Sequence, residues 1–181
     1  GFRVRGIQKQ MNVELVCTTD DPVDSLRYHE VLAWDDSFQT KVYPAFRADK
    51  ALAVEDVTSF IDYVARLSAA ADVEIRSFSD FLEALHRRHD YFHRHSCRLS
   101  DHGLETIYAE EYSEAEIVTG FAQLLRREPI RKEQSLKFKS AMLYELAVMD
   151  WEKGWTQQFH LGALRNTNTR MMRLLGPDSG F

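Results

Sequence analysis

The sequence lacks several features that define common classes of protein. No apolar stretch among its 181 residues approaches the ~20 residues that a membrane-spanning helix needs, so we predict no membrane partner. The net charge is -5, and without a basic excess we predict no nucleic-acid partner. The first ten residues, GFRVRGIQKQ, contain no apolar core of a secretory signal. These absences favour a cytoplasmic protein.

Cysteine is also scarce. Cys17 and Cys97 lie far apart and outside any CxxC pattern, which predicts two reduced, buried thiols in a cytosolic protein. The remaining composition, 44% hydrophobic and 28% charged, is that of a globular protein. The length suits one domain, residues 1–181. The chain opens without methionine and closes on the turn-like GPDSGF, so we expect a piece of something longer.

Segments with the composition of strands alternate four times with helical segments. The predicted strands are 11–19, 40–46, about 95–100 and 155–164, and the predicted helices are about 22–34, 54–70, 78–92, 113–127 and 132–151, with another helix after a loop beyond 165. This alternation indicates an α/β fold built from parallel βαβ units. Four units fit half of a (β/α)8 barrel or a small doubly wound sheet. Because a complete barrel needs ~250 residues, the chain cannot close one alone.

Three helix boundaries carry recognisable capping signals. Asp21 suits an N-cap, with Pro22 at the first helical position. Ser113 and Glu116 have the spacing of a capping box. Gly154 is a stop signal for the long helix before it.

Polar and ionisable residues gather where the predicted strands end. These residues are Thr18 to Asp21, Ser100 to His102, Gln157 to His160, and Arg47 after the second strand. Each has a simple structural explanation when taken singly, such as a helix cap or the start of a loop. Together, a carboxylate, a guanidinium and two imidazoles at strand ends indicate one side of a site for an anionic substrate. Arg47 would hold a carboxylate bidentately, and His102 could move a proton near neutral pH.

Two other clusters are weaker candidates for function. His86, His89 and His93 share one face of a predicted helix, but a basic solvated face explains them better than a metal site, because the spacing matches no zinc motif. Arg165 and Arg170 lie in a polar region after the last strand and are candidates for binding an oxygen-rich ligand. No glycine-rich phosphate-binding fingerprint is present.

Four segments together resemble the uronate isomerase (glucuronate isomerase) family. They are QMNVELVCTTDDPVDSL, KVYPAFRADKAL, CRLSDHGLE and QQFHLGALRNTNTRMMRLLGPDSGF. The resemblance implies a segment of a metal-dependent (β/α)8 barrel of the amidohydrolase superfamily, roughly strands 3 to 6 of the eight, with helical excursions at about 54–94 and 113–152. It also implies a cytoplasmic homo-oligomer in sugar-acid catabolism, which interconverts D-glucuronate with D-fructuronate and D-galacturonate with D-tagaturonate.

The resemblance assigns roles to individual residues. His102, beside Asp101, matches a family histidine near the metal and the substrate. Arg47 matches an arginine in a segment that the family usually writes as WRPDK and that reads FRADK here. Asp20, His160 and Arg165 match strand-end positions that face the same pocket.

The resemblance places the metal ligands of the family outside this sequence. The His-x-His pair of the first barrel strand would lie upstream of Gly1 and the aspartate of the last strand downstream of Phe181, so we expect no metal ligands within this segment. A divalent metal, with zinc as the preferred cation, would be held mostly by residues outside it. We therefore expect the isolated chain to be inactive.

Two alternatives to the isomerase segment remain open. One is a non-catalytic truncated fragment that self-associates through exposed sheet edges. The other is a small module that binds sugar acids through Arg47, Arg165 and Arg170.

Overall fold

The structure, a computed structural model, describes residues 3–162 and 166–176. Its elements in chain order are α1 Val4–Gln10, β1 Leu15–Cys17, α2 Arg27–Ala33, β2 Lys41–Tyr43, α3 Asp49–Leu52, α4 Val57–Ala71, α5 Phe78–Arg94, β3 Leu99–Leu104, α6 Glu114–Leu125, α7 Lys132–Lys153, β4 Thr156–Leu161 and α8 Thr169–Leu175. Helices and strands thus alternate, and the predicted α/β class is confirmed. Within the described ranges, no helix is long and apolar enough to cross a membrane.

The strands are parallel and follow one another in chain order. β1 pairs with β2, and β3 pairs with β4, both in parallel. Phe46, just beyond β2, connects the two pairs through parallel bridges to Asp20 on one side and Ser100 on the other. Because all four strands point the same way, their carboxyl ends meet at one edge, where α/β proteins place their sites.

The core lies mainly among the long helices that cover the strands. α4 packs on α5, and α6 packs on α7. Four phenylalanines at the centre of this layer, Phe60, Phe81, Phe121 and Phe138, are at most 1% exposed. Their rings meet at centroid distances of 5.1 to 6.3 Å, mostly edge-to-face or tilted. Such pairs stabilise a core beyond the burial of apolar area alone.

Two predicted helix boundaries are confirmed by the backbone. Ser113 accepts from the Glu116 N–H while the Glu116 carboxylate accepts from the Ser113 N–H, which is the reciprocal capping box. Lys137 adds an ion pair to Glu116, and these hydrogen bonds lower the pKa of Glu116 to about 2. α7 ends at Gly154, which has the left-handed conformation that glycine adopts without strain.

The predicted start of the second helix is wrong. α2 begins at Arg27, not at Pro22, and Asp21 does not cap it. Asp21 instead accepts a hydrogen bond from the Val23 N–H and donates its own N–H to the Asp24 carboxylate. These side-chain bonds hold a turn that competes with helix formation, and Leu26 follows it in the left-handed conformation.

The third strand begins later than the sequence predicts. α5 continues to Arg94, His95 caps its end, and Ser96 has a positive φ of 67°. The strand is therefore Leu99–Leu104 rather than 95–100, because the first residues of the predicted segment are used to end the helix. As a consequence, Asp101 and His102 lie inside the strand instead of following it.

The prediction of two buried thiols is correct for Cys97 and wrong for Cys17. Cys97 is fully buried, its thiol donates to the Leu99 carbonyl, and burial raises its pKa to about 12. Cys17 is exposed at the end of β1. The strand β1 has only three residues and its sides are poorly covered, so a small apolar residue at its end is not enclosed.

Candidate active site

The side chains of β3 and β4 are sorted onto two faces by strand alternation. Asp101 pairs in register with Gln158, and Gly103 pairs with His160, so these four residues share one face. His102 pairs with Phe159 and lies on the opposite face with Ser100. That face is covered by helices, since the Ser100 hydroxyl donates to the buried Asp150 carboxylate of α7 at 2.5 Å.

Arg47 lies between two carboxylates at the carboxyl edge of the sheet. Its Nε donates to Asp49 Oδ2 at 2.7 Å, and its Nη1 lies 3.5 Å from Asp101 Oδ2. The Gly103 N–H donates to the same Asp49 oxygen at 3.0 Å. The end of β2, the start of α3 and the strand β3 are thus joined at this edge by one arginine and one aspartate.

The electrostatics of this edge favour the ionised form of Asp49. Partial burial would raise the pKa of Asp49, but the neighbouring His102 ring, the Arg47 guanidinium and the Gly103 N–H outweigh it, so the pKa lies below its ordinary value. The contact from His102 Nδ1 to Asp49 Oδ1 is 3.5 Å long. That distance exceeds a normal hydrogen bond, so we regard this contact as electrostatic.

Asp101 is buried and faces His160 on the open face. The Asp101 Oδ1 atom lies 2.6 Å from His160 Nδ1, although the angles are not those of a hydrogen bond. The Thr19 hydroxyl donates to the other oxygen at 3.4 Å. The His160 side chain is 48% exposed, whereas that of Asp101 is 8% exposed. The pair therefore combines a shielded carboxylate with an imidazole that a ligand can reach.

His102 is fully buried, and neither ring nitrogen has a hydrogen bond. Its ring lies 5.7 Å from that of Phe159 and beside Asp49. Buried polar atoms are normally satisfied, yet Asp49 Oδ1 and Asp101 Oδ1 of the same edge also lack a hydrogen bond. Of these atoms, the Asp101 oxygen lies on the open face beside His160, where a ligand or a cation could engage it.

Asp20 belongs to a neighbouring cluster rather than to this one. Its carboxylate accepts from the Thr18 hydroxyl at 2.5 Å and lies 3.7 Å from His29 Nε2. Thr18 in turn lies 2.7 Å from His29. The link to the arginine is through the backbone, since the Arg47 N–H donates to the Asp20 carbonyl at 2.8 Å.

Of the two arginines in the last predicted region, the structure describes Arg170, which does not join the cluster. Arg170 is exposed in the first turn of α8, and within the described ranges no hydrogen bond or ion pair joins it to Arg47, Asp101 or His160. Arg165 lies outside the described residues.

Two of the three histidines of α5, His89 and His93, have structural partners. His89 Nε2 lies 3.0 Å from Asp150 Oδ1, and both side chains are buried. The Trp155 indole N–H donates to His93 Nδ1 at 3.0 Å. Packing between α5, α7 and β4 therefore explains His89 and His93. The predicted solvated face is wrong for His89, which is buried against Asp150.

An open cavity of about 350 Å³ adjoins the arginine–carboxylate cluster. It is lined by Asp49, Leu52, Ala53, Glu55, Gly103, Leu104, Glu105, Tyr108 and Lys139. Its volume lies at the lower end of the range of about 300 to 1,000 Å³ that small-molecule pockets occupy. The cluster and this cavity together form a polar recess at the carboxyl edge of the sheet.

The sequence profile of one family, described as glucuronate isomerase, matches residues 1–181. The chain belongs to this family. It is 52% identical over 180 residues to a uronate isomerase of Bacteroides thetaiotaomicron and 49% identical to one of Cellvibrio japonicus, covering 99% of this chain and 38% of each relative. The chain therefore spans well under half the length of these relatives.

Two crystal structures have the same fold as this chain. A uronate isomerase from Thermotoga maritima superposes with a TM-score of 0.86 at 29% identity, over 97% of this chain and 39% of that one. A glucuronate isomerase from Caulobacter crescentus gives a TM-score of 0.83 at 28% identity, over 99% and 37%.

A divalent metal, which the family resemblance implies, fits this edge only in part. Asp101, His102 and His160 carry suitable ligand atoms, and neither His102 nitrogen makes a hydrogen bond. Within residues 3–162 and 166–176, however, no three histidine, cysteine or acidic side chains lie close enough together to hold a metal ion. The described residues of this glucuronate isomerase segment thus do not form a metal site by themselves.

Sequence reasoning missed two residues that shape the site. Asp49 holds Arg47 and the Gly103 N–H, while His29 lies beside Thr18 and Asp20. For Asp49 a signal was available, because it stands two residues after Arg47 in the FRADK segment. No comparable signal marks His29. The turn before α2 brings its ring next to Thr18, and the sequence does not predict that turn.

Proposed function

We propose that this chain is a segment of a uronate isomerase, and that the complete protein interconverts D-glucuronate with D-fructuronate and D-galacturonate with D-tagaturonate. The observation that carries the proposal is the group of Arg47, Asp101 and His160 at the carboxyl edge of parallel strands in a chain of this family. Uronates are anionic sugars, and this group offers both a cation for a carboxylate and groups that can exchange protons.

We further propose that the four strands are part of a (β/α)8 barrel, roughly strands 3 to 6. Two features support this: all strands are parallel, and their order follows the chain without a reversal. The helix pairs α4–α5 and α6–α7, within about 54–94 and 113–152, would then be excursions outside the strand–helix repeat. We place the complete protein in the cytoplasm as a homo-oligomer.

Aldose–ketose isomerisation moves protons without any net redox change. A base removes the proton from C2, an enediol forms, and a proton returns to C1 while the hydroxyl proton of O2 passes to O1. In our proposal, Asp101 and His160 exchange these protons, because they share the open face of the sheet. Arg47 would bind the carboxylate of the uronate, and the buried His102 would act through Asp49.

When bound, a divalent metal such as zinc would stabilise the negative charge that builds on the carbonyl oxygen. Asp101 could supply one ligand at the margin of that site, with the remaining ligands outside this chain. The isolated chain is then expected to be inactive, because loss of most metal ligands removes the site rather than weakening it.

An isomerase assay tests this proposal. The purified 181-residue chain is incubated with D-glucuronate and zinc or manganese, with the full-length Bacteroides thetaiotaomicron relative as positive control. We expect turnover by the relative and none by the chain. Turnover by the chain would contradict the placement of the metal ligands outside it. Absence of turnover by the relative would mean that D-glucuronate is not the substrate.

A second candidate function is self-association of a non-catalytic fragment. Large apolar side chains are exposed at both outer strands, with Leu15 of β1 at 47%, Phe159 of β4 at 37% and Leu161 of β4 at 52%. Open strand edges and apolar surface favour association. Size-exclusion chromatography with light scattering is expected to give a dimer or larger species if this candidate holds. A monodisperse 21 kDa monomer would exclude it.

A further inference from the structure

Gly103 occupies a position in β3 that has no room for a side chain. A Cβ atom there would lie 2.0 Å from Arg47 Nη2, 3.2 Å from Arg47 Cζ and 3.3 Å from Asp49 Oδ2. The backbone conformation does not require glycine, since Gly103 is not among the glycines with positive φ. The space taken by the Arg47 guanidinium is therefore the reason for glycine at this position.

Gly103 contributes in a second way to the same cluster. Its N–H donates to Asp49 Oδ2 at 3.0 Å, and the same oxygen accepts from Arg47 Nε at 2.7 Å. The Gly103 N–H of the strand thus holds the Asp49 carboxylate in place, and that carboxylate in turn holds the Arg47 guanidinium. Gly103 therefore positions Arg47 in two ways, by leaving space for its guanidinium and by holding Asp49. As a result Arg47 lies against β3, with its Nη1 3.5 Å from Asp101 Oδ2.

We infer that Gly103 is a positioning residue for Arg47, and thereby for the recognition of the uronate carboxylate. The second part of this inference rests on the proposed function, but the first part does not. A methyl group at residue 103 displaces the end of the flexible Arg47 side chain more easily than it displaces a strand that is paired with β4 along its length and bridged to Phe46 at Ser100. Gly103→Ala therefore moves the guanidinium away from Asp49 and Asp101 and leaves the fold in place.

Nuclear magnetic resonance of the arginine Nε–H groups tests the placement of Arg47. The Arg47 signal of the 15N-labelled chain is assigned by its loss in Arg47→Lys. In Gly103→Ala we expect this signal to shift and its hydrogen exchange to become faster, because the bond to Asp49 is lost. The matched control is Gly120→Ala, since a Cβ at Gly120 meets nothing within 4 Å. An unchanged Arg47 signal in Gly103→Ala overturns the inference.

A double-variant comparison covers the case in which Gly103→Ala is poorly folded. If the clash with Arg47 is the cause, Gly103→Ala in an Arg47→Ala background has the same unfolding midpoint as Arg47→Ala alone. If the double variant is as impaired as Gly103→Ala, the methyl group clashes with the backbone, and the positioning role is wrong.

Binding of D-glucuronate, measured by calorimetry on the same variants, tests the link to recognition. The wild-type chain is expected to bind saturably, and Gly103→Ala to bind about tenfold more weakly or worse, as expected for the loss of a hydrogen bond to a charged group. Equal affinity in both overturns the recognition role. No binding by the wild type rejects this substrate for the chain, while the Arg47 signal still decides the role of Gly103.

Discussion

Replacing His89 with leucine is expected to lower the free energy of unfolding by about 3 to 5 kcal/mol, the usual effect of removing one partner from a buried ion pair or hydrogen-bonded pair. Asp150 would keep only the Ser100 hydroxyl among the side chains that now satisfy it. The Asp150 side chain is 4% exposed, so water cannot replace the lost imidazole. The midpoint of urea unfolding, followed by circular dichroism, measures the loss.

The same helix offers a control for this substitution. His86 is one turn earlier on α5, is half-buried, and has no hydrogen bond or ion pair within the described ranges. His86→Leu is expected to change stability by no more than about 0.5 kcal/mol. Adding Asp150→Asn to His89→Leu removes the buried charge and should recover part of the loss. Equal losses for His86→Leu and His89→Leu would contradict the role of the pair.

This pair shows which part of the fold could be predicted from the sequence and which could not. Local signals predicted two helix ends correctly, the capping box of Ser113 and Glu116 and the stop at Gly154, although the Asp21 signal failed. His89 and Asp150 are 61 residues apart. Nothing in the sequence of either helix shows that these two side chains meet. The sequence could therefore place His89 on one face of its helix but could not identify Asp150 as its partner.

For the candidate site, too, the sequence predicted one part and the structure was needed for the other. Alternation of strands and helices correctly predicted that residues from successive strands would meet at one edge, and Arg47, Asp101 and His160 do so. The start of β3 was not predictable, because the first residues assigned to it from the sequence, from His95 onward, end α5 instead. A shift in the pairing of a strand by one residue moves each of its side chains to the opposite face of the sheet. The placement of His102 opposite Asp101 therefore needed the structure.

Truncation of Phe46 is expected to be as damaging as loss of His89, at about 3 to 5 kcal/mol for a fully buried phenylalanine. Its ring makes edge-to-face contacts with His89, Phe92 and Trp155 at centroid distances of 5.2, 5.1 and 6.3 Å. Phe46→Ala leaves a cavity where the strands meet the helices. Its backbone bonds to Leu99 and Asp101 do not involve the ring, so the strand order is expected to survive.

Phe159→Ala is the matched control, because that ring is also in the sheet but is 37% exposed. Less apolar area is lost there, so the decrease in the unfolding free energy should be clearly smaller. Phe46 and His89 are in contact, so their combined effect should differ from the sum of the single effects by about 0.5 kcal/mol or more. Strict additivity would show that the ring and the buried pair act independently. Coupling would mean that Phe46 and the His89–Asp150 pair act as one packed unit. Because Phe46 directly precedes Arg47, this unit would also support the position of that arginine.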